Sequence, residues 1–241
     1  MPSRFAVAAV CFDLGETLYH YGEGPLSWLE LSRPGLEAVA RACGIGEEDA
    51  DLDAAEATVV ALGERSRGGI EEANLQDAMA AALHALGGDL ARHVETAVDA
   101  FFDTVRESLE PYPDAVGTLA ELKRRRFKVG VLTNVPYGTP HRTIQEDLER
   151  TGLAPHIDAV VTSADVGLRK PEPAPYEWLA GMLTIAPADM VYAGNADTDV
   201  RGALAVGAVP VLIDRAGEPS EYGQAATVTT LREILDLVEL K

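Results

Sequence analysis

At 241 residues the chain is long enough to bury a substantial core, either as one large domain or as a core carrying an insertion. Lys and Arg number 20 against 39 Asp and Glu, and the resulting net charge of −19 argues against nucleic acid and anionic membranes as partners. Two cysteines, Cys11 and Cys43, make no disulfide framework, and no apolar run approaches the roughly 18 residues of a membrane span, so a cytoplasmic protein is expected.

The first element is the apolar run from Phe5 to Phe12, which has the length of one buried parallel strand and ends at Asp13. Arg4 with this run has the outline of a short signal peptide. No small-residue cleavage site follows, however, and Asp13 interrupts the run, so a strand is expected. The next residues, Leu14-Gly15-Glu16-Thr17-Leu18, form a glycine-containing turn. Asp13 is thereby delivered to the C-terminal rim of a sheet, where open α/β sheets bind ligands.

Residues 19–110 have helical periodicity. Leu36, Val39, Ala40 and Cys43 precede Gly44; Leu75, Met79, Leu83 and Leu86 precede Gly87; Val94, Ala97, Val98, Phe101, Phe102, Val105 and Leu109 follow. Spacings of three and four put each set on one stripe, with glycines where C-caps belong, and predict a small helical bundle. Arg65, Arg67, Gly68 and Gly69 read as a flexible basic loop between two of its helices. His84, His93, His141 and His156 share no metal-ligand spacing.

From Pro111-Tyr112-Pro113 onward, strands alternate with helices: strands at 128–132, 159–162, 190–193 and 210–214, helices near 144–150, 176–182 and 200–206. Such alternation implies an α/β fold with parallel strands joined by right-handed crossovers. Three more polar groups then reach the rim that Asp13 occupies. They are Thr133-Asn134 after the second strand, Lys170 beyond the third, and Asn195 with Asp197 and Asp199 after the fourth. A carboxylate, a hydroxyl, a cation and an acidic loop together describe a phosphate or carboxylate site.

With these motifs, in this order, the chain resembles the haloacid dehalogenase superfamily of aspartate-nucleophile hydrolases, most of which are magnesium-dependent phosphatases. The resemblance implies a Rossmann-like core from residues 1–18 and 111–241 with strand order 3-2-1-4-5, and a helical cap from residues 19–110 acting as a lid. It implies that Asp13 is a nucleophile forming an aspartyl-phosphate, that Thr133 binds a phosphoryl oxygen and that Lys170 offsets the charge. Asn134, Gly15 and Glu16 would line the substrate, and Asp13, the Gly15 carbonyl, Asn195 and Asp199 would hold Mg2+. The expected partner is a small phosphorylated metabolite; oligomeric state is left open.

Two positions depart from the family pattern. Gly15 stands where its phosphatases carry a second aspartate as acid and base, and Glu16 takes the place of the turn glycine one residue on. Asn195 stands where most present the first acid of the fourth motif, and Asp197 is a possible compensation. Two other readings stay open. One is a metal-independent 2-haloacid dehalogenase-like hydrolase, whose halide leaves without protonation, although that branch tends to carry an aromatic at the Gly15 position and a serine at Thr133. The other is a non-catalytic binding protein of the same fold.

Overall fold

The computed structural model describes residues 4–22, 28–46, 51–72, 75–106, 108–217 and 220–241. In chain order it begins with strands β1 (Phe5–Val7), β2 (Ala9–Phe12) and β3 (Tyr19–Tyr21), then helices α1 (Trp28–Ala42), α2 (Leu52–Gly68), α3 (Leu75–Ala85) and α4 (Leu90–Arg106). There follow β4 (Leu109–Pro111), α5 (Ala115–Arg124), β5 (Lys128–Thr133), α6 (His141–Arg150), β6 (Ala159–Thr162), α7 (Ser163–Val166) and α8 (Pro173–Leu183). The chain closes with β7 (Met190–Gly194), α9 (Asp197–Ala205), β8 (Val209–Ile213), β9 (Ala226–Val228), α10 (Ile234–Leu237) and β10 (Val238–Leu240). Among the described residues no helix is long and apolar enough to cross a membrane.

Two compact units emerge: one from residues 1–20, 110–134 and 140–241, the other from 21–109 and 135–139. The first is built on a six-stranded sheet in the order β6-β5-β2-β7-β8-β9, and every neighbouring pair is parallel. This is the expected order with β9 added at one edge. Its strands read as near-continuous apolar runs because helices cover both faces. Ala9, Cys11, Leu132, Val161, Tyr176, Leu179 and Tyr192 form part of its core. Burial pushes the Cys11 thiol up to about 12, so it is an inert core group.

The apolar run predicted as a single strand is divided at Ala8. Ala9 is the first residue with neighbours in the sheet, Lys128 on one side and Met190 on the other. Ala8 still bonds on both sides, accepting from Lys128 N at 3.1 Å and donating to Asp189 O at 2.8 Å, but β1 before it pairs with the chain's last strand, Phe5 opposite Val238.

The described residues of the second unit pack four helices: α1, α3 and α4 carry the three predicted stripes, and α2 lies outside them. Leu36, Val39, Met79, Leu83, Leu86, Ala97, Phe101 and Phe102 are all buried in one cluster. Gly44 and Gly87, in left-handed conformation at φ +68° and +77°, follow α1 and α3 as helix stops. The side chains of Leu75 and Val105 lie outside the described residues. Val135–Thr139 groups with this unit because Tyr137 sits in its core, its ring edge-on to Phe101 with centroids 5.9 Å apart. The basic loop expected at Arg65 and Arg67 is instead the last part of α2, which runs on to Gly68. Ala61, Leu62, Glu64, Arg65 and Arg67 are good helix formers, and the helix continues through Gly63 as far as Gly68, with Gly69 as its C-cap. Those two arginine side chains lie outside the described residues.

Candidate active site

The site belongs wholly to the sheet unit. β2 lies between β5 and β7, with Phe12 in register with Val131 and Ala193. One residue on, Asp13 N donates to Ala193 O at 2.8 Å, so the sheet's own hydrogen bonding continues up to the carboxylate. Thr133 ends β5 and Gly194 ends β7, the strands flanking Asp13.

Lys170 comes from the loop that follows α7, and its backbone is fixed by Asn134. Lys170 N donates to Asn134 Oδ1 at 2.8 Å, and Asn134 Nδ2 donates to Lys170 O at 3.2 Å. The side chain of Asn134 thus ties the end of β5 to the lysine loop. The Lys170 ammonium lies 2.5 Å from Asp13 Oδ1 and 2.7 Å from Asp199 Oδ1, with all three side chains nearly removed from solvent.

Burial opposes the charge on Lys170, but the two carboxylates outweigh it and hold its pKa above the ordinary lysine range. Asp13 moves the other way. Burial raises its carboxyl to about 6, with Lys170 pulling down and Asp199 pushing up. Two carboxylates facing one ammonium leave a net negative charge, which suits a proton or a cation.

Asp199 sits in the first turn of α9 and uses its second oxygen, Oδ2, to accept from Ala196 N at 2.9 Å. Asp197, two residues earlier, turns outward and pairs with Arg201 at 3.0 Å on the helix surface. Asn195 Oδ1 accepts from the buried Thr17 Oγ1 at 3.4 Å, which brings the fourth motif beside the turn after Asp13. Thr133 is buried at the strand end, its hydroxyl 3.5 Å from Asn134 O.

The turn after Asp13 is braced from outside the motifs. Glu16 has a left-handed backbone, φ +55°, and its Oε2 accepts from the Tyr112 hydroxyl at 3.0 Å. Burial, reinforced by Glu16, pushes the Tyr112 hydroxyl up to about 12, so it stays a donor. The Arg215 guanidinium stacks 3.6 Å over the Tyr112 ring centroid, donates to Thr17 O at 2.8 Å and pairs with Asp114 at 3.1 Å. Sequence reasoning missed Tyr112, Arg215 and Tyr192. Tyr112 was legible only as part of Pro111-Tyr112-Pro113, and Tyr192 reads as strand filling.

Among the described residues no three His, Cys, Asp or Glu side chains group as a metal cluster. A magnesium ion here would rest on Asp13 with neutral oxygens of Gly15 and Asn195, and the net negative charge of the buried trio fits it. Oxygen-only ligation by one or two carboxylates is the chemistry that this ion accepts. Asp199 accepts one bond on each oxygen, from Lys170 and from Ala196, and would join through a remaining lone pair.

The model of the haloacid dehalogenase-like hydrolase family matches residues 7–207, and the chain belongs to that family. Its relatives include the phosphoserine phosphatase of Thermus thermophilus, 32% identical over 210 residues covering 86% of this chain and 71% of that one. Two glyceraldehyde 3-phosphate phosphatases also match. That of Methanocaldococcus jannaschii is 28% identical over 97% of both chains, whereas that of Methanopyrus kandleri is 37% identical over only 51% of each. The (S)-2-haloacid dehalogenase 1 of Pseudomonas sp. is 29% identical over 55% of this chain and 56% of its own. Among solved structures, the 2-haloacid dehalogenase of Pseudomonas syringae shares the fold with a TM-score of 0.71 at 20% identity, covering 96% of this chain and 98% of that one. The protein is therefore a haloacid dehalogenase-like hydrolase with phosphatases and a dehalogenase among its relatives.

Proposed function

We propose that the protein is a magnesium-dependent phosphatase of a small phosphorylated metabolite, working in the cytoplasm with Asp13 as nucleophile. The observation that carries this reading is the buried trio of Asp13, Lys170 and Asp199. Lys170 binds one oxygen of Asp13 at 2.5 Å, which orients the carboxylate and leaves Oδ2 as the attacking atom. Asp13 forms a bond to phosphorus as the ester oxygen departs, and water then cleaves the aspartyl-phosphate. Lys170 offsets charge as two anionic groups meet, and Thr133 would donate its hydroxyl to a phosphoryl oxygen. Magnesium, when bound by Asp13, Gly15 and Asn195, would neutralise further phosphoryl charge.

No acid stands at Gly15 to protonate the departing oxygen, so good leaving groups should be preferred. Phosphatase relatives, one matched over 97% of both chains and one over 86% of this chain, support a phosphorylated substrate. The test is hydrolysis of aryl, acyl and alkyl phosphates with and without magnesium. The reading expects metal-stimulated turnover, fastest with aryl or acyl phosphates and lost in Asp13→Asn. Turnover of none of them, or turnover retained by that variant, contradicts it.

A second reading, the metal-independent 2-haloacid dehalogenase, draws on Asn195 in place of an acid and on the engagement of both Asp199 oxygens, by Lys170 and by Ala196. Halide released from 2-chloropropionate without metal would favour it over the phosphatase.

A further inference from the structure

The ammonium of Lys170 has three hydrogens, and the two carboxylates account for two of them. The third direction points into the sheet. There the Tyr192 hydroxyl oxygen lies 3.2 Å from Nζ and the Leu132 carbonyl lies 3.4 Å away. Tyr192 itself donates to Leu132 O at 2.7 Å. That bond fixes where the hydroxyl hydrogen goes, so the oxygen's lone pairs are left facing Lys170. Burial and the neighbouring Asp199 drive the Tyr192 pKa well upward, so the hydroxyl remains neutral beside the ammonium. The ring is held from behind by Tyr176, edge-on with centroids 4.8 Å apart. Tyr176 fits there because Gly202 has no side chain: a Cβ at that position would lie 2.3 Å from its ring.

We propose that Tyr192 is a positioning residue for the reaction, acting through Lys170. It is the nearer acceptor for the third hydrogen of the ammonium, at 3.2 Å against 3.4 Å for the Leu132 carbonyl, and its own 2.7 Å bond to that carbonyl weakens the carbonyl's competition for it. Both effects keep Nζ raised toward Asp13 and Asp199. Without the hydroxyl the ammonium settles toward Leu132 O, its bond to Asp13 Oδ1 lengthens, and the attacking oxygen loses its orientation. The inference rests on the proposed roles of Asp13 and Lys170.

The test is Tyr192→Phe, which removes one oxygen and keeps the ring. It should lower kcat about ten- to a hundredfold, as misplacement of a reacting group by a fraction of an ångström does. KM should change by less than about twofold, since substrate contacts are untouched. An independent measurement reads the lysine directly: the proton–nitrogen NMR signal of the Lys170 ammonium, assigned by its loss in Lys170→Met. In the intact protein that signal should be protected from hydrogen exchange, and in Tyr192→Phe exchange should quicken by about tenfold or more, as expected when a buried hydrogen bond is lost. Unchanged exchange overturns the proposal, as does unchanged kcat in a protein that hydrolyses phosphate esters. If the intact protein hydrolyses none, quickened exchange still supports the role of Tyr192, while the phosphatase reading falls. Should Tyr192→Phe fail to fold, 3-fluorotyrosine at this position keeps the shape and weakens the oxygen as an acceptor. It must then shift the Lys170 ammonium resonance, and an unmoved resonance overturns the proposal.

Discussion

Gly194 and Asp199 fit together only because the glycine has no side chain: a Cβ on Gly194 would lie 2.3 Å from Asp199 Oδ2 and 2.7 Å from Asp199 Cβ. The end of β7 and the first turn of α9 are thereby pressed close enough for Asp199 to reach both Ala196 N and Lys170. Gly194→Ala should push Asp199 off Lys170. Turnover should fall by about a hundredfold through misplacement, and stability by about 1–3 kcal/mol through overpacking. Kinetics and denaturant unfolding of that variant check both, and wild-type values in either would contradict the packing argument.

Gly15 is the opposite case. A Cβ built there meets nothing within 4 Å, and its backbone is not in the left-handed region, so a side chain can enter without strain. Gly15→Asp should supply the missing acid and raise turnover of alkyl phosphates by about tenfold or more, the lower range of a positioned acid's contribution. Aryl phosphates, whose leaving groups need little protonation, should gain less. A variant that folds and shows no gain with alkyl phosphates would mean that another group already protonates the leaving oxygen.

Glu16 is not expected to be that group. Its carboxylate is engaged by the Tyr112 hydroxyl at 3.0 Å, on a residue that belongs to none of the four motifs. Glu16→Gln should therefore change kcat by less than about threefold, whereas loss of a working acid costs about a hundredfold or more. A large loss confined to alkyl phosphates would instead make Glu16 the acid.

The buried trio makes opposite predictions for its members' stability. Burial raises the Asp13 carboxyl from 3.8 to about 6 despite Lys170. A folded-state pKa above the unfolded one means that the folded protein holds the proton more tightly. Ionising Asp13 therefore removes stability as pH rises from about 4 through about 6, and the loss of roughly 3 kcal/mol is complete above that range. In metal-free unfolding experiments Asp13→Asn should be the more stable protein at neutral pH, with the difference vanishing near pH 4. Lys170→Met leaves two buried carboxylates facing each other and should lose about 3–5 kcal/mol. A destabilised Asp13→Asn at neutral pH would contradict the assigned balance of burial and ion pairing.

Most of the architecture was legible because each element carried its own local signal. Apolar runs ending in polar residues gave five of the parallel strands, and three-and-four spacing gave α1, α3 and α4, whereas α2 and the edge strand β9 went unread. What escaped notice depended on partners distant in sequence. The break at Ala8 follows from where Lys128 and Met190 begin to pair, and nothing in residues 5–12 encodes that. Tyr137 packs with Phe101 from a segment that sequence alone assigns to the other unit. Within the site, the types and order of Asp13, Lys170 and Asp199 announced their convergence. The tyrosine under Lys170 and the Arg215 brace gave no such notice, because a tyrosine in a strand and an arginine in a loop have ordinary structural uses.

The most direct test asks whether Asp13 carries the phosphoryl group. During steady turnover of an aryl phosphate with magnesium, quenching with borohydride reduces an acyl phosphate to an alcohol, and peptide mass spectrometry then locates the change. The account predicts homoserine at residue 13, and at no other aspartate, only when substrate is present. Rapid turnover with Asp13 recovered unaltered, or with the modification at a different carboxylate, would contradict it.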